Sequence, residues 1–259
     1  MHVRSLFLVA PLALTATAAP PTSCPGQNHY PYPTTKLAGI DVIDTQIVRD
    51  ARALVKGYGE PYLQKHVLRT WLFGAAMIQN NATLRESIDV EVHALATILH
   101  DLGWDLTPNS RWVSPDQRFE VDGALGAQKF IREHPDGKRF TAAQLMDVYD
   151  SISLHASPGL GVGKNPLVRL ILASIMGDNP YALLPLPKEQ LDAIFQTLPN
   201  DDIAYGTNKT WSHLAATKPE TTYGTIIEPF GVAFVPGYSP VGHRPFDIIV
   251  GELHKNGTK

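Results

Sequence analysis

Between residues 45 and 200 the chain is a succession of segments whose apolar residues recur every three or four positions, the spacing of an α-helix laid against a core. The segment DTQIVRDARALVKGY places Ile47, Ala51, Leu54 and Val55 on one face, with Asp44 or Thr45 as its N-cap. PYLQKHVLRTWLFGAAMIQN opens on Pro61, suited to a first helical turn, and carries Leu63, Val67, Trp71 and Leu72 with the same period. ESIDVEVHALATILHDLGW predicts a third helix from Ser87 to Leu102, stopped by Gly103. DQRFEVDGALGAQKFIREH, TAAQLMDVYDSISLHAS, PLVRLILASIMGD and PKEQLDAIFQTL continue the pattern, broken at Pro135, Pro158, Pro180 and Pro199. Strand alternation is missing from these stretches. The expected fold is all-α: one compact helical bundle over residues 45–200, with an extended Pro-rich arm over 19–44 before it. Residues 201–259 are expected to be an irregular C-terminal extension packed on the bundle, in which IIEPFGVAFVPGYSP forms a short extended element.

The fold must hold by its core. Cys24 is the sole cysteine in 259 residues, which rules out an intrachain disulfide. The first residues, MHVRSLFLVAPLALTATAAP, combine Arg4, an apolar run from Leu6 to Leu14 and small residues before a cleavage point. Residues 1–18 therefore read as a secretory signal, cut after Ala18, and the apolar run is too short to span a membrane. Sequons at Asn81, Asn208 and Asn256 agree with a secreted or secretory-pathway location. A formal charge of −3 without blocks of like charge argues against nucleic-acid and membrane partners and leaves a small molecule as the expected ligand. Self-association stays open.

His66 falls in the middle of the second segment, His100 and Asp101 end the third, and Asp178 ends ASIMGD, each in apolar surroundings. Burying two imidazoles and two carboxylates is costly unless something pairs them, and one divalent transition metal does so with borderline N and O donors. Zinc comes first, with iron, manganese and nickel as alternatives. His93, seven residues before His100, reads as a neighbour of this site rather than a ligand, and His134 as a loop residue. The GLGVGKNP stretch resembles a phosphate loop, but Pro158 stands where its first glycine belongs and Asn165 where its hydroxyl residue belongs.

The order H…HD…D, with an apolar helix leading into the pair, resembles the HD superfamily of metal-dependent hydrolases. HVLRTWLFG, ATILHDLGW, RFEVDGALGAQKF and DVYDSISLHAS resemble successive blocks of the cyanamide hydratase group within it, over about residues 60–200. The resemblance implies an all-helical HD domain with His66, His100, Asp101 and Asp178 as metal ligands. It also implies His155, Asp101, Glu120 and Arg118 as catalytic or pocket-lining residues, with His155 a proton donor or a partner of metal-activated water. Arg118 and Glu120 equally suit an ordinary ion pair at a helix start, where the dipole favours a carboxylate. The implied reaction is hydration of a small nitrile such as cyanamide to urea. The alternatives are an HD-type phosphohydrolase acting on a nucleotide or other phosphoester, with Lys65, Arg69, Arg118 and Lys164 as its available cations, and a secreted metal-containing binding protein without catalysis.

Overall fold

A computed structural model describes residues 32–178 and 183–255. The expected signal sequence, Cys24 and the sequon at Asn256 lie outside these residues. Twelve α-helices and one two-stranded sheet make up the described residues, so the fold is predominantly α.

The arm is not extended throughout. Thr34–Leu37 (β1) pairs antiparallel with Ile40–Ile43 (β2), with Leu37 opposite Ile40. Ala38 and Gly39 between them take φ of 48° and 78°, the two left-handed positions of a tight hairpin turn. Ile40, Val42 and Ile43 are buried, so this hairpin contributes to the core.

α1 (Gln46–Tyr58) begins after Thr45, whose hydroxyl donates to Glu91 Oε1 at 2.5 Å instead of capping the helix. α2 (Pro61–Asn80) starts on Pro61 and carries His66 and Arg69 one turn apart. The third segment departs from its expected span. α3 (Ala82–Ser87) is a short helix capped by the Asn81 side chain, and α4 (Val90–Leu99) starts afresh where Asp89 accepts from the backbone N–H of Glu91 and Val92. α4 lies inside the bundle, with every residue from Glu91 to His100 buried, and it packs on α1, on α2 and on the hairpin.

α4 ends at Leu99, four residues before Gly103, and a 3-10 turn over Leu102–Trp104 follows. Gly103 is needed for closeness rather than for a helix stop: a Cβ there would overlap the Phe119 carbonyl, so glycine lets the start of the next helix approach the His100–Asp101 corner.

That next helix is α5 (Phe119–Glu133). α6 (Ala142–Ser153) opens on a capping box of Thr141 and Gln144 and packs on α4 and α5. α7 (Pro158–Gly161), α8 (Pro166–Met176) and α9 (Lys188–Thr197) complete the expected bundle, with α8 against α2 and α6. At Gly74 of α2 a Cβ would strike His93 Nε2 and Ser174 Oγ, so α2, α4 and α8 meet closely there.

The C-terminal stretch is helical, contrary to expectation. α10 (Ile203–Thr217), α11 (Glu228–Phe234) and α12 (Pro245–Lys255) occupy it, and the extended element expected around Phe230 is α11. α10 packs on α2 through Gly206 against the Tyr62 ring, and through a hydrogen bond between Tyr62 and Thr210. No helix among the described residues is long and apolar enough to cross a membrane.

Candidate metal centre

Three histidines and one aspartate from three helices converge. His66 Nε2 lies 3.1 Å from His100 Nε2 and 3.5 Å from Asp101 Oδ2, and His100 Nε2 lies 3.1 Å from the same carboxylate oxygen. His155, just past the end of α6, brings its Nε2 to 3.6 Å from Asp101 Oδ1.

The hydrogen bonds on the far side of each ring decide what these nitrogens can do. His100 Nδ1 donates to the Thr97 carbonyl at 2.7 Å, and His155 Nδ1 donates to the Ile152 carbonyl at 2.6 Å. Since a carbonyl only accepts, each ring carries its hydrogen on Nδ1. His66 Nδ1 is held at 2.7 Å by Asp178 Oδ2, a carboxylate already gripped by the Arg69 guanidinium, so it too is the donor. The Nε2 lone pairs are thereby turned toward Asp101.

Such an arrangement is unfavourable on its own. Both Asp101 oxygens are buried and lack a hydrogen-bond partner among the described residues, and two imidazole lone pairs face each other beside them. A carboxylate buried without compensation costs on the order of several kcal/mol. A cation removes both problems.

The spacing fits one: ligands ~2.1 Å from a common centre are separated by about 3.0 Å at a right angle and about 3.4 Å at the tetrahedral angle. His66, His100 and Asp101 offer ligand atoms within 4.8 Å of one another and can hold a metal ion.

The local field favours positive charge at the same place. Burial works against a charged His100, but the Asp101 carboxylate, the Thr97 carbonyl and Asp178 outweigh it and hold its pKa above the ordinary value. Burial likewise opposes the charged form of Asp101, and the three histidines, His100 foremost, pull its pKa below the usual range. His155 goes the other way: burial, then the neighbouring His100, lowers its pKa, so it rests neutral.

Aromatic rings wall the site. Centroid contacts run from His66 to His100 (5.0 Å), His100 to His155 (5.0 Å), His155 to Phe119 (5.4 Å), Phe119 to Trp104 (6.0 Å) and Trp104 back to His66 (6.2 Å), closing a circuit.

No family model matches the chain, and no curated protein matches it. The site therefore rests on its own geometry.

Of the four ligands implied by the resemblance, His66, His100 and Asp101 come together, and Asp178 does not join their converging atoms. Arg69, one turn after His66 on α2, captures Asp178 with Nε at 2.6 Å and Nη2 at 2.7 Å and draws it to the Nδ1 side of His66. Asp178 thus orients the imidazole from behind, as carboxylates commonly do for metal-binding histidines.

Glu120 is buried and ion-paired with Arg118, the helix-start arrangement, though its charge is felt at His155. His93 sets its Nε2 against Gly74 where α2, α4 and α8 meet, and it is not among the converging ligand atoms. His134 caps α5, accepts from the Asp136 N–H and meets Asp50 at 3.0 Å.

Sequence reasoning missed Trp104 and the Nδ1 acceptors. The tryptophan stood in the quoted HDLGW block, whereas the acceptors on Thr97 and Ile152 are backbone carbonyls that leave no mark in a sequence.

Proposed function

We propose that this protein is a metal-dependent hydratase of the HD superfamily, resembling the cyanamide hydratase group, that adds water across the C≡N bond of a small nitrile such as cyanamide to give urea. The observation that carries this reading is the convergence of imidazole Nε2 lone pairs on the unpaired, buried carboxylate of Asp101.

His66, His100 and Asp101 would hold the ion, and zinc suits their nitrogen and oxygen donors best. When bound, it would supply Lewis acidity, which brings the pKa of water toward about 7 and withdraws electrons from a nitrile. His155 accepts the proton that leaves water, because its Nε2 is free to do so while Ile152 retains the hydrogen on Nδ1. It passes that proton to the nitrile nitrogen as the new C–O bond forms and one C–N π bond breaks. The resulting isourea tautomerises to urea. Asp178, Thr97 and Ile152 keep the three rings oriented throughout, and the buried Phe119 and Trp104 limit the space to a small substrate.

A phosphoester substrate is less well supported, because the four cations available to clamp it are engaged elsewhere. Arg69 holds Asp178, Arg118 holds Glu120, Lys65 meets Asp202 at 2.6 Å and Lys164 meets Asp150 at 2.8 Å. With residues 1–18 as an export signal, the proposed place of action is the secretory route or the cell exterior.

The test is urea release from cyanamide, and phosphate release from p-nitrophenyl phosphate and from nucleotides, by protein loaded in turn with zinc, iron, manganese or nickel. Urea formation is expected, falling by roughly 10² to 10⁴ in His155→Gln at unchanged metal content if His155 carries the proton. Absence of urea with every metal sinks the reading, and phosphate release would replace it with the phosphohydrolase.

A further inference from the structure

The aromatic circuit does not end at Trp104. The Trp104 ring lies nearly parallel to His66, at 11°, and meets Trp211 of α10 edge to face at 6.1 Å. Trp211 in turn meets Phe230 of α11 at 4.7 Å. The indole N–H groups of both tryptophans are shielded from solvent and have no acceptor among the described residues. Buried indole N–H groups ordinarily find one. The Tyr58 hydroxyl is a third such group, shielded and without a partner among the described residues. Two unused indole donors therefore follow the ring path outward from His66, the Tyr58 hydroxyl lies near enough to feel the Asp101 charge, and the cations Lys65 and Arg69 flanking His66 on α2 already have acidic partners.

We propose that the C-terminal segment is part of the substrate pocket, with the indole N–H groups of Trp104 and Trp211 binding the acceptor atoms of a small, flat, uncharged molecule such as a nitrile or a urea-like amide. The proposal rests on the hydratase reading for the position of the reacting end, and adds that residues well outside the ligand-bearing helices determine what is bound.

Donors select for lone pairs, aromatic faces select for a flat molecule, and Lys65 and Arg69, already paired with Asp202 and Asp178, leave neither side chain to clamp an anion such as phosphate. Phe230 holds the Trp211 ring edge on, which ties recognition to the packing of α11 on α10. A buried donor without an acceptor is destabilising, so a ligand that supplies the acceptor binds with the benefit of relieving that cost.

The experiment is nitrogen-15 NMR of the indole N–H groups in the full-length protein, with and without zinc, titrated separately with cyanamide, urea and inorganic phosphate. The chain has four tryptophans, Trp71, Trp104, Trp112 and Trp211, each assignable by its Phe variant. The Trp104 and Trp211 resonances are expected to move together with one dissociation constant for cyanamide or urea, and those of Trp71 and Trp112 to stay still.

Trp211→Phe, which keeps a ring against Trp104 but removes the donor, is expected to weaken that binding about three- to tenfold while zinc content and circular dichroism hold. Trp112→Phe, whose ring lies against Gly126 and Arg111, serves as the control. Immobile Trp104 and Trp211 resonances with every probe, or a Trp211→Phe variant that binds as tightly as the parent, overturn the proposal. Movement with phosphate but with neither cyanamide nor urea overturns it too, by excluding the uncharged ligand. Binding of cyanamide or urea without turnover leaves this proposal standing and removes the hydratase reading, so the two fail separately.

Discussion

Which ring nitrogen carries the proton decides what a buried histidine can do, and here three of them are fixed by an oxygen behind the ring. His93 is the contrasting case. Its Nε2 rests against Gly74 with no hydrogen-bond partner among the described residues, and burial alone pushes its pKa down to about 3 from 6.5. The sign follows from linkage: between those two values the unfolded chain binds a proton that the folded chain refuses, so stability falls as pH drops through this window and is unaffected above it. His93→Gln, neutral at every pH, should remove that dependence. Between pH 6 and 4.5 the parent should lose about 2 kcal/mol more than the variant, as urea unfolding would measure. Equal losses would mean that His93 finds a proton acceptor in the folded chain. The sequence made the cluster legible at this scale because His and Asp at the end of an apolar run are expensive to bury. It could not reveal the capture of Asp178 by Arg69, since nothing in two residues 109 positions apart says that they meet.

A buried ion pair holds the C-terminal helices to the rest. Lys218, which ends α10, donates to Asp122 Oδ2 at 2.6 Å, to the Gln117 carbonyl at 2.9 Å and to the Ser114 carbonyl at 3.2 Å. Both side chains are about 95% buried, at 5% and 4% exposure. Removing one partner leaves the other charge buried, so Lys218→Met should cost about 3–5 kcal/mol, and adding Asp122→Asn should recover much of it. A loss below about 1 kcal/mol in the single variant, the size of a surface pair, would show that water reaches Asp122. α10 escaped the sequence reading for a related reason. Its buried positions are Gly206, Thr210, Leu214 and Ala215, too small and too polar to display an aliphatic period, and its Gly, Asn, Thr and Ser residues weaken helix propensity. α1, α2 and α8 were readable because large aliphatic residues mark their inner faces. α3, six residues with Leu84 as its one buried position, leaves no period to read, and the sequence predicts a third helix from Ser87 rather than after the Asp89 cap because apolar Ile88 and Val90 flank that cap.

The molecule as a whole is what makes a ligand set out of separated residues. His66 meets His100 across 34 positions and Asp178 across 112, contacts that exist only when α2, α4 and the end of α8 are packed. An ion that binds this set binds the folded chain and not the unfolded one, so it must raise stability by mass action, by about 2.7 kcal/mol at a hundredfold excess over its dissociation constant. For a chain of this size that corresponds to a rise of about 5–10 °C in melting temperature on adding zinc, reversed by a chelator. Asp101→Asn should abolish the rise, since it removes the carboxylate at which the imidazoles converge. Asp178→Asn provides the sharper comparison. If Asp178 acts from behind His66, the rise should persist while zinc affinity falls roughly 10- to 100-fold. Calorimetry of the two variants over a range of zinc concentrations separates the cases. A rise lost as completely in Asp178→Asn as in Asp101→Asn would place Asp178 on the metal itself, with Arg69 giving it up when the ion arrives.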